Sequence, residues 1–287
     1  MARPVTATVR VGGQALADGV LMRTDRAWAV ARDDGSVQVG ALPPRRLEHV
    51  PVVRFAVALV AGLRLAVGRG ILGRGGAGGG GARSSVSSRR RNLRFLWALA
   101  AVEAVGLAFS LAVTGRRLGA AATLVATVVP WIGAFVVLRL AAPSALWRYH
   151  GAEHKAVAAH EAGVDPADVA AVLACPRVHD RCGTNLVFLA MVGGLALTLL
   201  PAAAQVPAFL LLLATTAEAV SVAAGRPRAR TSRLVLAGGR ALQRWVTTAE
   251  PSPEEQAVGC RALAACLAHH AATSGSEIRT ARSHVRS

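Results

Sequence analysis

The segment WRYHGAEHKAVAAHEAG, residues 147–163, holds the side chains of this chain best suited to chemistry. His150 and His154 are four residues apart, so on a helix they share a face and both imidazoles can approach one ion. With Glu153 they form His-x-x-Glu-His, the inverted zinc-hydrolase pattern, in which two histidines hold the metal and the glutamate takes a proton from water. The segment therefore predicts a divalent metal site, with zinc as the favoured ion.

A second segment, CPRVHDRCGTN at residues 175–185, can supply further ligands. Cys175, His179 and Cys182 offer thiolates and an imidazole, and zinc accepts such a mixture together with the two helical histidines. Two simpler interpretations stay open: interfacial histidines with buried or free thiols, and a disulfide between Cys175 and Cys182. A cytoplasmic location argues against the disulfide, because that compartment keeps thiols reduced.

Glu161 lies on the same helical stripe as His150, about 20° away around the axis. A rise of 1.5 Å per residue nevertheless puts it roughly 16 Å along the axis from His150 and about 10 Å from His154. Direct binding to the same ion is therefore not expected. Glu161 instead supports a ligand, contacts the neighbouring spans, or is solvated.

The element that positions the histidines is predicted to be one helix over residues 145–162. Ser144 follows a proline, good helix formers come next, and Gly163 ends the run.

The surrounding chain is typical of a membrane protein, since 53% of its residues are apolar and only 4% are aromatic. A helix needs roughly 20 apolar residues to cross the hydrocarbon core. Four runs approach that length and form two helical hairpins, at 95–140 and 186–224. The individual runs are residues 95–113, 119–140, 186–204 and 206–224.

The formal net charge of +17 comes from arginines that flank these runs. Anionic lipid is the expected partner. Nucleic acid is not expected, because no recognition helix, zinc finger or aromatic-basic platform is present. Arginine is concentrated before the first run, between the hairpins and after the last run, so both termini and the central loop are predicted to be cytoplasmic.

The fold class is therefore mainly α, a polytopic membrane protein with about four transmembrane helices in two hairpins, a small β-rich N-terminal cap and a helical C-terminal segment. The predicted cap has a hairpin turn at Asp34 and Gly35. SPEE at 252–255 is a capping box that starts a helix running to about His270. The predicted divisions are 1–50 for the cap, 51–72 for an interfacial helix, 73–94 for a flexible linker, 141–185 for the central loop, 225–272 for C-terminal helices and 273–287 for a disordered tail.

Four stretches of the sequence are distinctive in combination: GGQALADGVLMR at 12–23, YHGAEHK at 149–155, HDRCGTN at 179–185 and LQRWVTTAEP at 242–251. Together they resemble the YqhQ-like bacterial membrane proteins, a family of unknown function described as predicted metal-dependent enzymes. The resemblance spans almost the whole chain. It implies a metal and the bacterial cytoplasmic membrane, and it names no substrate.

Matched position by position, the resemblance implies roles for the residues of the two central motifs. It implies His150, His154, His179 and Cys182 as metal ligands and Glu153 and Lys155 as catalytic groups, with Tyr149 and Arg181 beside them and Cys175 outside the pattern. Tyr149 and Lys155 are the single tyrosine and single lysine of the chain. Arginine does not replace the compact ammonium of lysine, so this motif is expected to need that group.

Within the apolar runs, Glu218 is costly in a bilayer and is expected to face the bundle, with Arg139 or the metal site as a partner. Three functions follow from the sequence. The first is a membrane-bound metal-dependent hydrolase, the second a scaffold with a structural metal site, and the third a small transporter. Four protein ligands favour the structural site, whereas three ligands with an open position favour catalysis. The substrate and a homo-oligomeric state are left open.

Overall fold

The computed structural model describes residues 9–42, 142–197 and 200–284, with scattered positions between 125 and 140. It has four strands, six helices and one π-helical turn in these ranges. The strands are β1 Gly12–Leu16, β2 Gly19–Arg23, β3 Ala27–Arg32 and β4 Val37–Ala41. The helices are α1 Ser144–Ala162, α2 Val169–Leu173, α3 Gly183–Leu197, α4 Ala202–Gly225, α5 Arg230–Leu242 and α6 Pro253–His284, and the π-helical turn Gln243–Thr247 follows α5.

The described residues form two compact units. The first contains the sheet with α1, α2 and α6, and the second contains α3, α4, α5 and the π-helical turn. A loop between α2 and α3 carries the second predicted ligand segment.

The N-terminal sheet confirms the predicted β-rich cap. Its strands follow one another in the order β1-β2-β3-β4, and every neighbouring pair is antiparallel. Between β3 and β4 the predicted turn is present, with Gly35 at a φ of 84° and the amide of Ser36 donating to Asp34 Oδ1 at 2.8 Å. Only a glycine adopts that positive φ without strain.

One face of this sheet forms the core of the first unit. Val20 and Met22 of β2 share that face with Ala27, Ala29 and Ala31 of β3, because side chains alternate along a strand. The helix α1 packs against β1 and β2, and α6 packs against β2, β3 and β4. The small alanines allow the helix backbones to approach the sheet closely.

Helix α1 confirms the helix predicted for the histidine segment. It runs from Ser144 to Ala162 and is followed by Gly163 at a φ of 73°. Glycine at this position is the common end of a helix.

Helix α6 starts with the predicted capping box. Ser252 Oγ accepts from the amide of Glu255 at 3.2 Å, and Glu255 Oε2 accepts from the amide of Ser252 at 2.9 Å. The helix ends at His284 rather than near His270, so it extends into the segment 273–287 that was predicted as a tail. The hydroxyls of Thr273 and Ser274 bond to carbonyls one turn back, at 2.9 Å each, and so do not interrupt the helix.

The second unit does not support four membrane spans. Among the described residues, one helix is long and apolar enough to cross a membrane, Ala203–Gly225 within α4. The predicted run 95–113 lies outside the described residues, and 119–140 is described only in part. The predicted third span, 186–204, is replaced by α3 of 15 residues, which spans only about 22 Å. Pro201 precedes α4, and proline disfavours helix in the residue before it, which separates α3 from α4.

Helices α3 and α4 nevertheless pack side by side. A Cβ built on Gly193 of α3 would lie 2.5 Å from Leu212 Cδ1 of α4, so a larger residue here would displace that leucine side chain. The segment 225–272, predicted to be helical, contains α5, which begins at Arg230 and continues into the π-helical turn.

Candidate metal centre

Helix α1 places its polar motif in the interior of the first unit. Glu153 is 6% exposed and His154 is 2% exposed. The rings of His150 and His154, one helical turn apart, have centroids separated by 4.4 Å. Buried polar groups need partners or a bound ion, so each of these side chains requires an explanation.

His154 is held in the protonation state of a metal ligand. Its Nδ1 lies 2.6 Å from the carbonyl oxygen of Arg177, and because a carbonyl can only accept, Nδ1 carries the proton. The lone pair is therefore on Nε2. Burial lowers the pKa of His154 to about 4, so the ring is neutral near pH 7. A histidine that donates one N–H to a backbone carbonyl and offers the other nitrogen is the usual form of a metal ligand.

The first unit supplies two ligand residues, His150 and His154, whose rings lie one helical turn apart. Zinc sites in proteins take three or four protein ligands, so at least one further ligand is needed. Cys182 belongs to the second unit, and its role as a ligand stays a prediction from the sequence.

Glu153 borders this group and is fixed by the first strand. Its Oε2 lies 3.5 Å from His154 Nε2. Burial raises the pKa of Glu153, while the charges of the nearby histidines and the backbone N–H of Gly13, which donates to the carboxylate, oppose the rise. A Cβ on Gly13 would lie 2.5 Å from Glu153 Cγ, so only a glycine in β1 leaves room for this carboxylate.

His179 lies next to this pair of histidines in the first unit. Its ring centroid is 6.0 Å from that of His154, and its Nε2 is 3.1 Å from Glu161 Oε2. Among the interpretations of Glu161, the structure thus favours support of a neighbouring histidine. The sequence did not indicate that this histidine would be His179.

Lys155 holds the loop against α1. Its Nζ donates to the carbonyl oxygens of Leu173 at 2.6 Å and Cys175 at 3.0 Å, and it lies 2.5 Å from Glu250 Oε1. An ammonium has three donors, and all three have acceptors here. A planar guanidinium on a longer stem cannot make this tripod, which explains the single lysine. These bonds support a positioning role for Lys155, whereas the sequence resemblance had implied a catalytic one.

The segment before α6 crosses α1 and completes the first unit. The amide of Ala249 donates to the carbonyl of Trp147 at 2.8 Å, and a Cβ on Gly151 would overlap the carbonyl oxygen of Ala249. Arg177 Nη1 donates to the carbonyl of Thr248 at 3.2 Å. Stretches far apart in sequence thus meet at one helix. Two of them belong to the distinctive stretches of the sequence, GGQALADGVLMR at 12–23 and LQRWVTTAEP at 242–251.

The remaining predicted residues lie elsewhere. Tyr149 is 4% exposed and belongs to the core, where burial raises its pKa to about 12. Arg181 is exposed, and Glu218 is half-buried on α4. Arg139 lines an apolar cavity of about 570 Å³ in the second unit.

Comparison with known proteins places the chain in a family of unknown function. The model of one family, described as "Protein of unknown function (DUF1385)", matches residues 119–269, more than half of the chain. The chain belongs to the DUF1385 family. The region matched by DUF1385 includes α1, the ligand loop and the start of α6, whereas the sheet that carries Gly13 lies before it. No curated protein and no solved structure matched the chain.

Proposed function

We propose that this protein is a metal-dependent hydrolase whose ion is held by His150, His154 and Cys182, with Glu153 as the proton acceptor. The observation that carries the proposal lies within the first unit: the rings of His150 and His154 have centroids 4.4 Å apart, and the buried carboxylate of Glu153 lies 3.5 Å from His154 Nε2. Three protein ligands leave a fourth position open, as in catalytic sites.

The side chains of α1 suit this role. When bound, a divalent ion such as zinc supplies Lewis-acid polarisation and makes water more acidic. Glu153 contributes a proton acceptor at Oε2, 3.5 Å from the ligand nitrogen of His154. Its raised pKa improves it as a base, because general bases work best when their pKa approaches the working pH. Gly13 orients the carboxylate through its N–H.

The proposed location is the cytoplasmic face of a bacterial membrane. The length and apolar composition of α4 support membrane attachment. A substrate near that surface is then expected, such as a peptide bond close to the membrane or a lipid-linked ester.

The test is metal analysis of the full chain purified in detergent. We expect zinc in the wild type and its loss in His154→Ala, whereas Glu153→Gln should retain metal and lose function in cells that lack the native copy. His269→Ala, a histidine on α6 outside the ligand group, is the matched control and should keep its metal. Retention of metal by His154→Ala would refute the ligand assignment.

A structural metal site is the second candidate, because Lys155 and Arg177 already tie the ligand loop to the first unit. In that case a chelator should lower the thermal midpoint strongly, since structural zinc contributes directly to folding. Full function of Glu153→Gln in cells would support this second candidate over the hydrolase.

A further inference from the structure

Helix α5 has an outward face that combines cations with large apolar side chains. At 3.6 residues per turn, Arg230 and Leu234 lie on the side opposite the buried residues Leu236 and Gly239, and the exposed Arg233 flanks that side. Leu234 is 78% exposed, and Trp245 in the following π-helical turn is 77% exposed. Leucine and tryptophan side chains are usually buried in soluble proteins. A helix face that exposes large apolar side chains together with arginines is typical of a helix lying on a membrane surface.

The buried face of α5 fixes where this outward face lies. Leu236 packs with Val220 and Ala223, which belong to the last turns of α4. The helix α5 is therefore anchored at the C-terminal end of the one described helix that could cross a membrane. With 24 residues, α4 is about 36 Å long, slightly more than a hydrocarbon core of roughly 30 Å. Its end then lies at the level of the lipid headgroups.

A basic segment begins at that same end. Arg226 follows the last residue of α4, and four exposed arginines occur within eight residues, at Arg226, Arg228, Arg230 and Arg233. Basic clusters immediately beside a membrane helix attract anionic lipid, and tryptophan prefers the boundary between headgroups and acyl chains. The charge of this segment, its exposed apolar side chains and its position beside α4 thus all indicate contact with anionic lipid.

We propose that the outward face of α5 lies in the headgroup layer of an anionic leaflet. In this arrangement the four arginines contact lipid phosphates, and Leu234 and Trp245 enter the upper part of the acyl chains. None of these residues is a predicted metal ligand, so the proposal does not rest on the proposed hydrolase. It makes the protein selective for anionic lipid beside α4.

The test uses the full chain in vesicles that mix phosphatidylcholine with phosphatidylglycerol, with bromine on the acyl chains of one lipid at a time. The signal of Trp245 is the fluorescence difference between the wild type and Trp245→Phe. We expect bromolipid to quench this signal, and more strongly when phosphatidylglycerol carries the bromine. Changing all four arginines to glutamine should abolish that preference, whereas changing them to lysine should keep it.

Three outcomes would overturn the proposal. The first is quenching of Trp245 by aqueous iodide with none by bromolipid, which would place the face in water. The second is equal quenching by the two brominated lipids in the wild type, and the third is a preference that survives the glutamine changes. A response of Trp245 to added RNA or DNA in place of lipid would assign the face to nucleic acid and overturn the proposal as well.

Discussion

Replacing Lys155 by methionine tests whether its three bonds hold the ligand loop in place. Methionine keeps the apolar stem of the side chain but removes the donors to Leu173 and Cys175. Each acceptor left without a partner costs about 1–3 kcal/mol, and both bonds are only partly buried, so we expect a total loss of about 2–4 kcal/mol. Glu250 adds little, because its side chain is 61% exposed and water replaces the lost partner.

The assay is thermal unfolding of the detergent-purified full chain, followed by circular dichroism. A loss of this size lowers the midpoint by roughly 5–15 °C. Lys155→Arg should also destabilise the protein, because the planar guanidinium cannot reproduce the three directions of the ammonium. Glu250→Gln is the matched control and should change the midpoint little. A Lys155→Met protein that melts with the wild type would show that these bonds do not stabilise the loop.

Three further predictions follow from buried groups of the first unit. Gly13→Ala should displace Glu153 and destabilise the protein by about 1–3 kcal/mol, as measured by the same melts, because the new Cβ overlaps the carboxylate. Cys266, whose pKa burial raises to about 11, should react with iodoacetamide far more slowly than Cys175, as followed by mass spectrometry of the folded chain; equal rates would contradict its burial. Since the pKa of His154 falls from 6.5 in the unfolded chain to about 4 when folded, the unfolded state binds the extra proton between these values. The metal-free protein should therefore lose stability as the pH drops from about 6.5 to 4, and His154→Asn should weaken that pH dependence in melts across this range.

Local patterns were sufficient for several elements. The bounds of α1, the turn at Gly35 and the capping box of α6 each depend on residues close together in sequence, and the structure confirms all three. The pairing of His150 with His154 belongs to the same class, because the helical repeat alone brings such residues together.

The length of the apolar runs alone did not predict the membrane spans correctly. Residues 186–224 are apolar nearly throughout, yet the helix α3 ends at Leu197 and only α4 has the length of a span. The break depends on the backbone restriction before Pro201, which mean hydropathy does not register.

The residue types and their spacing were enough to predict the helix that carries the histidine motif. They did not reveal which groups surround that motif. The contact of Gly13 with Glu153, the tripod of Lys155 and the bond from His154 to the carbonyl of Arg177 join segments that are distant in sequence. Such contacts depend on how the sheet and the loop pack against α1, and backbone carbonyls and N–H groups leave no signature in residue types. Packing in three dimensions therefore decided the partners and protonation of the site.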